Sequence, residues 1–270
     1  MDRIRFMNSG KSSVRLVGRK VIKRGHNDWQ NKVECFIISN FGKFNRSETF
    51  MILYVVMETM EKYQSGNWHR QRLILEEASG DFCLMIHYTQ LNLKMLTELR
   101  PHAIVYSGSS TPFEDYDVRR TRAYQQVVLT SDIPQLGICG GHQLAAEIFG
   151  STLGIMRRTR ADEPDHNPKY HPGEYKEWGV YPVTILRRDS LFSGCPKIIR
   201  VQQFHRSEIK KLGRDLVVLA SSPACRVQAF RHAAKPFFGV QFHPEEATES
   251  YPDGFAILRN FFRWAATRQK

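Results

Sequence analysis

The sequence predicts an α/β protein: a three-layer, open, mostly parallel sheet with helices on both faces and a small antiparallel addition. Three observations carry this expectation. Short apolar runs alternate with segments of helical spacing from about residue 50 onward. The first run is continuously apolar rather than alternating, as a strand covered on both faces is. The stretch Gln135 to Gly150 reads as strand, tight turn and helix in immediate succession.

Phe50 to Val56 is the expected first strand. His69 to Ala78 has helical spacing, Phe82 to Ile86 is a second strand, and Leu91 to Leu99 is a helix ended by Arg100 and Pro101. Ala103 to Tyr106 makes a third strand that runs into the turn Ser107–Gly108–Ser109–Ser110, and Tyr116 to Leu129 is a helix leading to the next strand. Alternation of this kind implies parallel strands joined by right-handed crossovers. Beyond Gly150 the pattern loosens. Val180–Ile185, Lys197–Val201, Leu216–Ala220 and Val227–Phe230 read as strands of the antiparallel part. Gly254 to Thr267 is a closing helix with Phe255, Leu258, Phe261, Phe262 and Ala265 on one face, which suits a core.

The chain has 270 residues, with 41% hydrophobic and 24% charged content, enough for one domain and an appendage. We divide it into a basic N-terminal arm, 1–48, and a domain, 49–270. The net charge is +12, and the arm alone holds 11 Lys and Arg against 4 Asp and Glu. It lacks a helix-turn-helix pattern, zinc-finger spacing or interleaved aromatics, so no nucleic-acid partner is expected. Gly10–Lys11–Ser12 imitates the end of a phosphate-binding loop, but the required earlier glycine is Arg5, so no nucleotide site is read there. An organelle transit peptide, a partner-binding arm and a terminus without function all remain open for this segment. The five cysteines form no Cys-x-x-Cys pair, which suits a reducing compartment. No run is long and apolar enough to cross a membrane, and a cytoplasmic protein is expected. The loop with Asp162, Glu163, Asp165, His166 and His171 has no spacing set by one element, so no metal is expected there.

Two stretches carry chemistry. In Gly137–Ile138–Cys139–Gly140–Gly141, glycines stand two residues either side of the cysteine, the spacing of a nucleophile elbow that displays one side chain above a sheet. At a helix start, unpaired N–H groups and the helix dipole favour thiolate over thiol. The second stretch is the apolar run Phe237–Phe242 followed by His243–Pro244–Glu245. Alternation along a strand would place His243 and Glu245 on one face, so that the carboxylate orients the ring. Cys139, His243 and Glu245 then form a nucleophile, base and orienting group by role. Glu246, the adjacent carboxylate, would point away.

Gly-Ile-Cys-Gly-Gly-His-Gln and, 104 positions after the cysteine, Gln-Phe-His-Pro-Glu resemble the two signatures of class I glutamine amidotransferases. Lys176–Glu177–Trp178–Gly179 and Val201–Gln202–Gln203–Phe204–His205 resemble intermediate blocks of that family, nearest to the glutaminase domain of GMP synthetase. The resemblance spans about Phe50 to the C-terminus and implies a flavodoxin-like sheet and cysteine-dependent hydrolysis of the glutamine amide without a cofactor. The amide of Gly140, next to the nucleophile, is one expected oxyanion donor. By resemblance the other comes from Ser109, where the family usually has glycine. If that position needs a positive φ, serine is strained and the hole forms only transiently or with a partner. Resemblance also assigns Gly108, Gln143, Phe204 and His205 to substrate binding. It implies ammonia delivery to a separately encoded synthetase, ahead of a free-standing γ-glutamyl hydrolase and of a non-catalytic regulatory homologue.

The arm's apolar content cannot offset ordering its backbone at roughly 1–2 kcal/mol per residue. Deletion of residues 1–47 is therefore expected to leave a soluble protein with an unchanged thermal midpoint. A destabilised or insoluble product would show that the arm contributes a strand to the sheet through Phe36, Ile37 and Ile38.

Overall fold

Strand β1 (Met51–Val56) shows how the sheet is built, because its side chains alternate between two apolar cores. Ile52, Tyr54 and Val56 enter one, while Leu53, Val55 and the following Met57 enter the other. A strand buried on both faces needs no polar side, hence the unbroken apolar run. The computed structural model describes residues 51–268. These belong to one compact unit, Glu48–Lys270. The basic arm, the Gly10–Lys11–Ser12 imitation and Cys35 lie outside the described residues.

The remaining strands follow in chain order: β2 (Phe82–His87), β3 (Ala103–Tyr106), β4 (Gln135–Ile138), β5 (Thr152–Ile155), β6 (Glu177–Ile185), β7 (Ile198–His205), β8 (Ser207–Lys211), β9 (Leu216–Ser221), β10 (Ala229–His232) and β11 (Phe237–Val240). Nine of them form one sheet in the order β2-β1-β3-β4-β11-β10-β9-β6-β7. From β2 to β11 all neighbours are parallel, and from β11 to β7 all are antiparallel. The expected antiparallel addition is thus a continuation of the same sheet. β5 and β8 pair separately as a small ribbon that sequence patterning did not reveal.

The helices are α1 (Met60–Ser65), α2 (His69–Ser79), α3 (Leu93–Leu99), α4 (Arg122–Thr130), α5 (Gly140–Ile148) and α6 (Asp253–Ala266). Leu75 of α2 and Ile257, Leu258, Phe261 and Ala265 of α6 cover one face of the sheet. Leu96 of α3, Val127 and Val128 of α4, and Leu144 and Ala145 of α5 cover the other. This is the expected three-layer arrangement. Phe255 is only half-buried, and Ile257 takes the core position expected of it.

Three boundaries differ for identifiable reasons. The helix expected over 116–129 splits into a 3-10 turn, Asp117–Arg120, and α4, because Thr121 adopts extended backbone while its Oγ1 donates to the Asp117 carbonyl. β7 runs to His205 rather than Val201 because β6 pairs with it along eight residues. β11 stops at Val240, before the histidine.

Candidate active site

Cys139 follows β4 and precedes α5 with φ 46° and ψ −101°, a conformation costing an L-residue about 1–3 kcal/mol. The flanking glycines are required by crowding instead. A Cβ on Gly137 would stand 2.7 Å from the Gly141 carbonyl oxygen, and one on Gly141 would stand 2.7 Å from the Tyr106 Cβ. The Cys139 N–H donates to the Val240 carbonyl of β11 at 2.8 Å. That bond extends the parallel pairing Gly137↔Gly239 and Ile138↔Val240, bringing together segments more than 100 residues apart. The thiol is 5% exposed, so it faces a cleft rather than open solvent.

His243 and Glu245 meet, but not through strand alternation. Pro244–Glu246 is a 3-10 turn, and within it the His243 Nδ1 lies 2.8 Å from Glu245 Oε1. Glu246 faces away, as expected, and binds Arg70 at 2.6 Å and Gln71 at 2.9 Å. Burial alone would disfavour a charged His243 ring. Glu245 and Cys139 beside it nevertheless raise its pKa well above the ordinary histidine value. His243 Nε2 is buried without a partner in ordinary hydrogen-bond geometry.

The expected contacts divide between base and cleft. The Phe204 ring packs on His243 at 5.4 Å and on Trp178 at 5.3 Å, so it braces the His243 ring as well as lining the cleft. Gly108 lies beneath the pair, where a Cβ would be 2.8 Å from His243 Cε1 and 3.4 Å from the Cys139 Cβ. Gln143 and His205 line the cleft, of about 200 Å3, with Cys139, Ser109, Tyr170 and Arg206.

The Ser109 turn departs from expectation. Among the described residues the non-glycine positions with positive φ are Arg100, Cys139 and His171, so Ser109 carries no left-handed strain. Its nitrogen lies where a Cβ on Gly140 would approach within 2.6 Å, so the Ser109 backbone packs directly against Gly140, the residue after Cys139. Neither N–H has a protein acceptor among the described residues.

A residue missed in the sequence fastens this turn. Glu58, 3% exposed, accepts from the Ser110 N–H, from Ser110 Oγ at 2.7 Å and from Thr111 Oγ1 at 2.6 Å. Lys62 Nζ donates to the same two hydroxyls at 2.7 Å. Burial raises the Glu58 pKa, but the Thr111 and Ser110 hydrogen bonds outweigh it and hold the carboxyl below its usual range. A lone glutamate after a strand carries no signal for this role in sequence.

The polar loop after β5 also acquires partners. Glu163 binds Arg157, and Asp165 binds the fully buried Lys176 at 2.7 Å. Its carboxylates hold protein cations, and among the described residues no cluster suits a metal ion. Burial pushes the Cys83 thiol up to about 12 and raises those of Cys195 and Cys225.

Residues 81–265 match the family model described as glutamine amidotransferase class-I. The chain belongs to the class-I glutamine amidotransferase family. It is 31% identical over 212 residues to a glutamine-hydrolyzing GMP synthase subunit of Pyrococcus abyssi, with 77% of this chain and 96% of that protein covered. The protein of the same name from Thermococcus kodakarensis is 30% identical over 212 residues, with the same coverage. Among solved structures, one from Thermoplasma acidophilum described as a GMP synthase subunit superposes with TM-score 0.64. It is 27% identical and covers 82% of this chain and 96% of that one. A glutamine amidotransferase from Thermotoga maritima, at 16% identity and TM-score 0.55 over 81% of this chain and 98% of that one, shares the fold. As an amidotransferase of this class the chain is an amide-cleaving enzyme, and none of its described helices is long and apolar enough to cross a membrane.

Glu58→Gln removes charge-assisted bonds of about 1.5–3 kcal/mol while keeping the side-chain volume. Amide hydrolysis is expected to lose about tenfold or more in kcat with little change in KM, as when a preorganised donor is loosened. Because the folded pKa is lowered, the Glu58 contribution is complete above the unfolded value of about 4.3 and is lost as pH falls through the lower folded value. An unchanged kcat in a folded Glu58→Gln protein would remove Glu58 from this role.

Proposed function

We propose that this chain hydrolyses the side-chain amide of glutamine and releases ammonia for a separately encoded synthetase. The observation that carries the reading is the convergence of Cys139, the His243–Glu245 pair and two unpaired N–H groups at one end of β4 and β11. The Cys139 thiolate attacks the amide carbonyl, and the oxyanion is held between the Gly140 and Ser109 amides, each worth about 2.7–4 kcal/mol. His243 gives its proton to the departing nitrogen and then draws one from the water that hydrolyses the thioester, while Glu245 keeps the ring oriented.

Charged side chains line the cleft in internal pairs, Arg119 with Glu114 at 2.9 Å and Glu147 at 2.8 Å, and Arg206 with Glu174 at 2.8 Å. Gln143 gives its Nε2 to Ser207 and Gln241, leaving its Oε1 as an acceptor for a substrate N–H. Support for a synthetase partner comes from the relatives, named as subunits of a glutamine-hydrolyzing synthase and matched over 96% of their length.

One feature favours a second reading, a free-standing hydrolase of γ-glutamyl compounds. The Ser109 turn is unstrained and fastened by Glu58, so the site needs no partner to form. Glutamine hydrolysis by the isolated chain is accordingly expected under both readings, and leaving-group preference separates them. Steady-state kinetics on glutamine and a γ-glutamyl dipeptide decide: a dipeptide kcat/KM exceeding that for glutamine by about a hundredfold, or 2.7 kcal/mol, would sink the reading with a synthetase partner. Cys139→Ala is expected to abolish turnover with an unchanged circular dichroism spectrum. A glutamine-mimicking electrophile should label Cys139 alone, and labelling of Cys35, Cys83, Cys195 or Cys225 instead would overturn the nucleophile assignment.

A further inference from the structure

We infer that Gln241 is a positioning residue for the nucleophile, holding the Cys139 sulfur through an amide whose direction is dictated by a buried relay from Ser207 through Gln143. Gln241 is fully buried, and its Nε2 donates to Cys139 Sγ at 3.6 Å. A primary amide could present either oxygen or N–H to that sulfur, and the two choices have opposite effects on a thiolate. The surrounding hydrogen bonds leave one choice.

The relay begins at an atom that can only accept. The Ser207 carbonyl receives Gln143 Nε2 at 2.8 Å, so the NH2 end of Gln143 must face it. The second N–H of that group reaches Gln241 Oε1 at 2.8 Å, which turns the Gln241 oxygen toward Gln143 and its NH2 toward sulfur. Reversing Gln241 would set two NH2 groups against each other and place a carbonyl dipole against the thiolate, so both ends of the flip are unfavourable. The Ser207 carbonyl is itself held by His205 Nδ1 at 3.0 Å, and His205 Nε2 lies 2.9 Å from the buried Glu177 carboxylate. Gln228 and Ser222 donate to Glu177, so the relay is anchored well behind the cleft.

The backbone supports the same geometry. Gln241 sits between Val240, whose carbonyl receives the Cys139 N–H, and the short segment leading to His243. One peptide segment thus contacts the nucleophile by main chain and by side chain, and two residues later delivers the base. Gln143 occupies the first turn of α5 and Gln241 the exit of β11, so the amide pair also ties the elbow helix to the histidine strand.

This inference rests on the reading of Cys139 as the nucleophile, and its test uses alkylation rather than turnover. Iodoacetamide modification of Cys139 is followed against pH in the full chain and in Gln241→Met, which keeps the volume and removes the donor. His243 and Tyr170 interact with Cys139, and His205, Arg206, Glu114 and Arg119 share its cleft; all remain in the variant, so a difference between profiles isolates the amide. The midpoint is expected to move up by about one pH unit, a tenfold loss of alkylation rate on the acidic side. Gln143→Met, which frees Gln241 to turn, is expected to move it in the same direction by less. Superposed profiles for the parent and a folded Gln241→Met protein would overturn the inference, and if that variant does not fold, superposition for Gln143→Met overturns it. A shifted profile in a chain that hydrolyses neither glutamine nor a γ-glutamyl dipeptide would uphold the relay and remove the proposed function instead.

Discussion

The pairing of β4 with β11 is the constraint on which the rest of the site depends. Two short, fully buried parallel strands align Gly137 with Gly239 and Ile138 with Val240, and the next N–H of one donates to the last carbonyl of the other. Side chains leaving the carboxyl ends of adjacent parallel strands are neighbours by geometry, the general reason that open α/β sheets bind ligands there. A one-residue slip would reverse which residues face each core and separate the cysteine from the histidine. Both strands are buried, with α5 on one face and α6 on the other, so the register is held by packing as well as by hydrogen bonds.

The strain in the site is confined to Cys139. Cys139 occupies a backbone conformation that side chains resist, while two positions away on either side stand glycines whose missing Cβ atoms make room for Tyr106 and for the return of the chain. The cost of about 1–3 kcal/mol is small beside the burial of strands and helices around it, and it turns a thiol that would pack into a core toward a cleft. Around this strained point the surroundings are rigid. The Ser109 turn is fastened to Glu58, the His243 ring is held by Glu245 and Phe204, and the sulfur is met by Gln241. Rigid support of this kind suits a reaction whose charge develops within one small volume.

Buried polar groups form two anchored systems behind the cleft. On one side the Glu58 carboxylate gathers donors from residues 110 and 111, and on the other Glu177 gathers His205, Ser222 and Gln228. Each buried carboxylate is satisfied by several donors, the condition under which such a group is tolerable in a core. The polar loop after β5 obeys the same rule, with Asp165 on the fully buried Lys176 and Glu163 on Arg157.

The sequence by itself determined the alternation of strands and helices, the elbow at Cys139, the pairing of His243 with Glu245 and the outward direction of Glu246. These features are local: apolar continuity, a glycine spacing and a separation of two residues are properties of short segments, and short segments keep them whatever the rest of the chain does. Even there the mechanism differed, since a 3-10 turn rather than strand alternation brings Glu245 to the histidine. Only the tertiary structure decided that the antiparallel strands extend the main sheet, that β5 and β8 form a ribbon, and that Ser109 is unstrained. It alone placed Glu58 and Gln241, because an unremarkable carboxylate or amide becomes significant through partners 52 and 102 residues away. Register, dipole direction and the company of buried polar groups are set by contacts between distant segments, and no pattern within either segment records them.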